Sequence, residues 1–275
     1  MSASGASTSA LPIGVFDSGV GGLTVLKAMR DALPQEDFLY LGDTARLPYG
    51  TKSPASIARY ASQATSALSA RGIKLLVVAC NTASAVALEA LERLMHPVPV
   101  VGVVEPGAVA AVAAGRKHLV LATEATVRLG AYRDAIKRLS GESSVREIAC
   151  EMLVALAEEG WTDDDITRQC IRRYLEPVFA ANYHADTLIL GCTHFPLLKQ
   201  AVEAVVEPGT QVVDSASTTA AMVKALLQTE RLQRPGSGPG SLHLLATDGA
   251  TRFARVGGQF LGQSLQTTDI EIVDL

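Results

Sequence analysis

Short, wholly apolar runs recur along this chain with helical stretches between them, and that alternation most constrains the fold. A strand buried on both faces reads as a continuous Val/Ile/Leu run, the signature of a parallel sheet covered by helices. Ile13-Gly14-Val15-Phe16 is the first such run. The pattern predicts strands at 13–16, 38–41, 75–79, 100–103, 119–122, 188–190, 211–213 and 242–245. It predicts helices at 23–32, 107–114, 127–138, 163–179 and 218–227, and one that starts at Ser53-Pro54 and ends near Arg71-Gly72. Ser53 reads as its N-cap, with proline at the first helical position. The pattern restarts after Pro97 and Pro99, so the 275 residues are expected to form two α/β units. Arg234-Pro235-Gly236-Ser237-Gly238-Pro239-Gly240 is a surface loop, and periodicity leaves open which unit the tail from Leu242 joins.

Composition narrows the partners. A chain that is 48% hydrophobic and 19% charged is a compact globular protein rather than a disordered or fibrous one. Its net charge of -4 gives no basic surplus for nucleic acid or an anionic membrane, and a small polar ligand fits better. No apolar run reaches the roughly 18 residues of a membrane span. Residues 1–11 read as a flexible leader, small and polar, without the basic and apolar regions of a signal peptide. A cytosolic location is expected, and there Cys80, Cys150, Cys170 and Cys192 are better read as thiols than as disulfides.

Two of those thiols sit in matching contexts. Val77-Val78-Ala79-Cys80-Asn81-Thr82 and Leu188-Ile189-Leu190-Gly191-Cys192-Thr193-His194 each place a cysteine and polar residues just after an apolar strand. Ligands of open α/β sheets bind outside the carboxyl ends of the strands, so the two segments can form facing half-sites. A buried thiol is by default a small apolar group. At a strand-to-helix junction, however, orphan N–H groups and the helix dipole are expected to lower its pKa. His194 is placed to bond the Cys192 thiol or take its proton, or else simply closes the turn. Asp17-Ser18-Gly19-Val20-Gly21-Gly22 is either an anion-binding loop or a tight turn, and it lacks both nucleotide fingerprints. Metal ligation by Cys80, Cys192 and His194 is disfavoured, because the usual Cys and His pair spacings are missing. Cys150 and Cys170 have no polar companions and are assigned to packing.

Phe16-Asp17-Ser18-Gly19-Val20-Gly21-Gly22-Leu23-Thr24-Val25, Gly42-Asp43-Thr44-Ala45-Arg46-Leu47-Pro48-Tyr49-Gly50, Ala79-Cys80-Asn81-Thr82-Ala83-Ser84 and Leu190-Gly191-Cys192-Thr193-His194-Phe195-Pro196-Leu197 together resemble the glutamate racemases of the aspartate/glutamate racemase family. The match runs nearly the whole chain in the family's order. The resemblance implies two similar α/β domains with mostly parallel sheets and the active site between them. The first would comprise residues 1–100 and 215–275, and the second, inserted domain residues 101–214. It implies cofactor-independent racemisation of glutamate, supply of D-glutamate for peptidoglycan and so for cell shape, and a homodimer as one assembly.

Carried over by motif, Cys80 and Cys192 would be the proton-transfer thiols, assisted by Asp17 and His194 respectively. Asp17, Ser18, Tyr49, Gly50, Asn81, Thr82, Thr193 and His194 would hold the substrate. Glu158 matches an acidic residue of the second domain, or else is a solvated helix-end charge. The chain departs from the commoner pattern at Glu151, where proline is usual after Cys150, and at Glu124 in Thr123-Glu124-Ala125-Thr126.

The chemistry fits independently of the resemblance. Inverting a stereocentre needs a proton removed from one face and another delivered to the opposite face, and a thiol can serve as acid or, ionised, as base near neutral pH. The weak acidity of the Cα proton also demands hydrogen bonds to the carboxylate where charge develops. No lysine adjoins either cysteine to form a Schiff base. The rivals are a racemase of another acidic amino acid, such as aspartate, and a nucleotide-binding regulatory module, which leaves the second cysteine motif unexplained.

Overall fold

The computed structural model describes residues 8–275, so the leader expectation for residues 1–7 lies outside the described residues. Its strands are β1 (Ile13–Asp17), β2 (Phe38–Gly42), β3 (Leu75–Val78), β4 (Val100–Gly102), β5 (Lys117–Ala122), β6 (Ser144–Ala149), β7 (Thr187–Gly191), β8 (Gln211–Asp214), β9 (Leu242–Ala246) and β10 (Ile270–Ile272). The helices are α1 (Leu23–Ala32), α2 (Pro54–Ala70), α3 (Asn81–Met95), α4 (Val104–Ala114), α5 (Glu124–Leu129), α6 (Ala131–Leu139), α7 (Glu151–Glu158), α8 (Asp165–Ala180), α9 (Lys199–Glu203), α10 (Ser215–Thr229) and α11 (Ala250–Leu261).

The strands form two sheets, a six-stranded one in the order β10-β9-β2-β1-β3-β4 and a four-stranded one in the order β6-β5-β7-β8. All strand pairings are parallel, as the continuous apolar runs require. Side chains alternate between the faces of each strand. Ile13 and Val15 of β1, Leu119 and Leu121 of β5, and Leu188 and Leu190 of β7 belong to one large core shared with α1, α8, α10 and α11. Their neighbours turn the other way: Phe16, Leu76 and Val78 pack with α2 and α3, and Val120 and Ile189 with α4 and α6. The tail returns to the six-stranded sheet, where β9 pairs with β2.

The departures from expectation have local causes. The stretch 127–138 is two helices, because Gly130 takes a left-handed φ of 64° between them. α4 starts at Val104 rather than 107, and Pro106 is tolerated in a first turn that needs no N–H from it. β6 and β10 escaped the pattern because they are edge strands whose polar residues break the apolar run. Residues 8–10, assigned to the flexible leader, form a single turn instead.

That turn is held by a buried charge. Lys74 is 0% exposed and pairs with Glu36, itself 4% exposed, while its Nζ also donates to the Ser9 carbonyl at 2.8 Å. Glu36 Oε1 accepts from the Arg234 N–H at 2.8 Å, so the pair ties the start of β3 to the loop before β9. Removing one member leaves the other charge buried alone, and Lys74→Met should cost about 3–5 kcal/mol of stability. Lys74→Met combined with Glu36→Leu should lose less. Urea denaturation followed by far-UV circular dichroism measures both, and an unchanged midpoint for Lys74→Met would contradict this account.

Candidate active site

Each sheet reverses its winding once. β1 connects onward to β2 on one side while its other neighbour β3 leads to β4, and β5 and β7 stand in the same relation to β6 and β8. A crevice opens at such a switch point beyond the carboxyl ends of the strands. In the six-stranded sheet the crevice holds Ser18 after β1 and Cys80 after β3, and in the four-stranded sheet Thr123 after β5 and Cys192 after β7. The two crevices meet. Ser18, Tyr49, Gly50, Cys80, Asn81 and Thr82 from the first side and Cys192, Thr193 and His194 from the second line one cavity of about 50 Å³, together with Pro48, Thr123, Glu151 and Val154. Asp17, 1% exposed, and Glu158 stand behind that surface rather than on it.

Glycine makes the meeting possible. A Cβ on Gly21 would collide with Thr193 Oγ1 and the His194 ring, and one on Gly50 would stand 3.1 Å from Thr123 Cβ. The glycine-rich loop after β1 therefore serves close approach between the halves rather than phosphate binding. Thr24, at the start of α1, seals the junction by donating from Oγ1 to the Thr193 carbonyl at 2.8 Å.

Cys80 occupies the N-cap of α3. Its Sγ accepts from the Ala83 N–H at 3.4 Å and lies 3.5 Å from Ser18 Oγ. These contacts favour a thiolate, but burial and the neighbouring Asp17 carboxylate outweigh them and push the thiol up to about 12. The expectation of a lowered pKa at this junction is corrected accordingly. Burial also raises Asp17 above the usual carboxylate range, against hydrogen bonds from the loop backbone. Its Oδ2 accepts from the Gly19 N–H at 2.9 Å, while Oδ1 is buried with no protein donor.

Cys192 has different company. His194 Nδ1 lies 3.8 Å from Cys192 Sγ, and its Nε2 lies 3.0 Å from Glu158 Oε1. Burial opposes a charge on the ring, but Cys192 and Glu158 override it and raise the His194 pKa to about 10. Burial pushes Glu158 up, yet bonds from His194 and Arg252 bring it down to about 2. Glu158 is thus a partner of His194 and not a solvated helix end.

The remaining residues divide by what they offer. Tyr49 lines the cavity, as expected of a substrate-holding residue, while its hydroxyl donates to Asp43 Oδ2 at 2.5 Å and anchors the loop. Asp43 is 0% exposed and also accepts from Arg46 Nε and Thr247 Oγ1. The side-chain amide of Asn81 donates to Tyr132 Oη at 2.8 Å, and its Oδ1 is buried without a protein donor. The hydroxyls of Thr82, Thr123 and Thr126 form a triangle with sides of 3.1 to 3.3 Å. Thr123 was missed as a site residue, although it holds the strand-end position that marked the cysteines. Asp43, directly after β2 in the Gly42-Asp43-Thr44 motif, was not singled out either, while Val154 and Arg252 carried no signal of their own. Among the described residues no cluster of His, Cys, Asp and Glu could hold a metal ion, and no helix is long and apolar enough to cross a membrane.

Known proteins resemble this chain over nearly its whole length. Residues 13–223 match the Asp/Glu/hydantoin racemase family. A glutamate racemase of Geobacter metallireducens is 51% identical over 255 residues, 92% of this chain and 93% of the relative. The crystal structure of glutamate racemase from Francisella tularensis in complex with D-glutamate superposes with a TM-score of 0.89 at 33% identity, covering 97% of this chain and 98% of that one. That of Thermus thermophilus in complex with β-chloro-D-alanine gives 0.86 at 44% identity, with the same coverage.

The opposing forces on Cys80 predict how it reacts. Alkylation by iodoacetamide, read for the Cys80 peptide by mass spectrometry, should keep rising with pH through about pH 9, because the thiol ionises only near 12. Asp17→Asn removes a charge that raises it and should speed alkylation at about pH 8 by roughly tenfold per pKa unit regained. A plateau below about pH 9, or slower reaction in Asp17→Asn, would contradict this.

Proposed function

Because this chain belongs to the Asp/Glu/hydantoin racemase family, we propose that it interconverts L- and D-glutamate by proton transfer between Cys80 and Cys192 on opposite faces of the substrate. The carrying observation is that the two cysteines end strands of different sheets and line one cavity. A base on each side is what inversion requires. Cys80 would exchange its proton with help from Ser18 and Asp17. His194, held by Glu158 and kept protonated by its neighbours, would stabilise the Cys192 thiolate or return its proton.

The N-terminus of α3 presents backbone N–H groups to the cavity beside Asn81 and Thr82, where a substrate carboxylate gathers charge as the α-proton leaves. Asn81 Oδ1 is an acceptor for the ammonium. The cavity of about 50 Å³ holds a few waters at roughly 10–15 Å³ each but not a glutamate, so the two halves must part to admit it. The division of the chain near residues 100 and 215 is where they would hinge, and α10 packs on both α1 and α4 there. In the cell the product would be D-glutamate for peptidoglycan, made in the cytosol.

Purified protein dialysed against chelator and hydroxylamine should racemise either enantiomer of glutamate, followed by circular dichroism. Aspartate should turn over far more slowly. In heavy water, early product should carry deuterium while recovered substrate stays protonated. Cys80→Ala and Cys192→Ala should each lose at least about 100-fold in both directions. Dependence on pyridoxal phosphate, near-normal turnover in either variant, or equal labelling of substrate and product would sink the proposal.

A further inference from the structure

The C-terminal helix α11 belongs to the six-stranded side of the molecule, where it packs on α1 and β10, yet it reaches the other side at three points around His194. Arg252 Nη2 donates to Glu158 Oε2 at 2.5 Å. The Phe260 ring stands edge-on to His194 with centroids 5.0 Å apart and an interplanar angle of 78°. The Gln259 amide lies against Gly160, where a Cβ would stand 3.1 Å from Oε1.

Glu158 is the last residue of α7, at the end where the helix dipole disfavours an anion. It is only 18% exposed, so its charge depends on its partners. It has two, and they lie on opposite oxygens: His194 on Oε1 and Arg252 on Oε2. A carboxylate pinned at one oxygen presents the other at a fixed angle. With Arg252 gone, the carboxylate could rotate toward solvent and His194 Nε2 would lose its fixed partner.

We propose that Arg252 is a positioning residue for the Cys192 half of the site: by pinning Glu158 from α11 it fixes the imidazole beside Cys192, and does so only while the two halves are docked. The proposal rests on the reading that His194 exchanges protons with Cys192. It adds that the imidazole is fully oriented only in the closed molecule, so parting of the halves to admit substrate also disengages the proton-transfer group. The titratable groups facing His194 are Cys192, Glu158 and Asp17. Replacing Arg252 leaves all three groups in place and removes one of the two partners that hold Glu158 ionised.

A double-mutant cycle tests this against a merely structural role. Arg252→Gln should lower kcat by about tenfold, the rate equivalent of one charge-assisted hydrogen bond. The loss should be unequal in the two directions and offset by KM, because the equilibrium fixes the ratio of kcat/KM values. Arg252→Lys should recover most of it. Glu158→Gln should lose at least as much as Arg252→Gln, and the double variant no more than Glu158→Gln alone, since Arg252 acts through Glu158. Losses that multiply in the double variant, or an Arg252→Gln enzyme with kcat within about twofold of wild type, would overturn the proposal. His194→Asn keeps the two readings apart. If it retains full turnover, the role of His194 itself falls. If it loses turnover while Arg252→Gln does not, only the role of Arg252 falls.

Discussion

Parallel sheets place their functional ends where the strand order reverses, and everything in this molecule depends on two such reversals being pressed together. One sheet with one crevice can set chemical groups around one side of a ligand. Two crevices meeting mouth to mouth set groups on two sides of one cavity, the arrangement that the proposed two-base inversion requires. The contact surface between them has to be thin. Gly21 and Gly50 keep it so, because a methyl group at either position would meet Thr193, His194 or Thr123. A glycine-rich turn that resembles a nucleotide loop in isolation becomes, in this setting, a spacer of minimum thickness.

The two cysteines occupy matching positions but not matching environments. Cys80 sees Ser18, a helix N-terminus and, behind these, a buried carboxylate whose oxygens are only partly met. Cys192 sees an imidazole backed by a carboxylate that is itself backed by a guanidinium. One side is dominated by burial, which keeps the thiol protonated. The other is a chain of charged partners running to the surface, in which paired charges outweigh the cost of burial. A site meant to run in both directions does not need two identical bases. It needs one proton available on each face at the right stage, and two differently tuned groups provide that.

How much of this was legible in the sequence depended on whether the signal was local. Strands buried on both faces, such as β1, β3, β5 and β7, announce themselves as apolar runs, and residues that follow them line the candidate site. The edge strands β6 and β10, whose apolar runs are broken by Arg146, Glu147 and Glu271, went unseen, as did α11, whose apolar residues follow a loop and a strand without a clear cap. Gly130 broke a helix that periodicity had joined. Cys80, Cys192 and His194 could be named because each lies next to a strand end. Arg252 could not, because it acts on Glu158 across a sequence distance of 94 residues. The direction of the Cys80 pKa was misjudged for a related reason. The helix dipole is visible in sequence, whereas complete burial beside Asp17 is a property of the assembled halves.

The two places where the chain departs from the commoner family pattern turn out to touch. Thr123 is the N-cap of α5, but its hydroxyl is engaged with Thr82 and Thr126 and makes no capping bond. The first N–H of that helix, on Glu124, is instead taken by Glu151 Oε1 at 2.5 Å. Glu151 opens α7, where either proline or an acidic residue suits a first helical turn. Replacing proline by glutamate there costs α7 nothing in its own geometry and gives α5 a cap from outside. The Thr123 hydroxyl, which makes no cap, faces Thr82 across the junction of the two halves. The departure at Glu151 is thus explained by a contact within the protein, the bond it accepts from the Glu124 N–H.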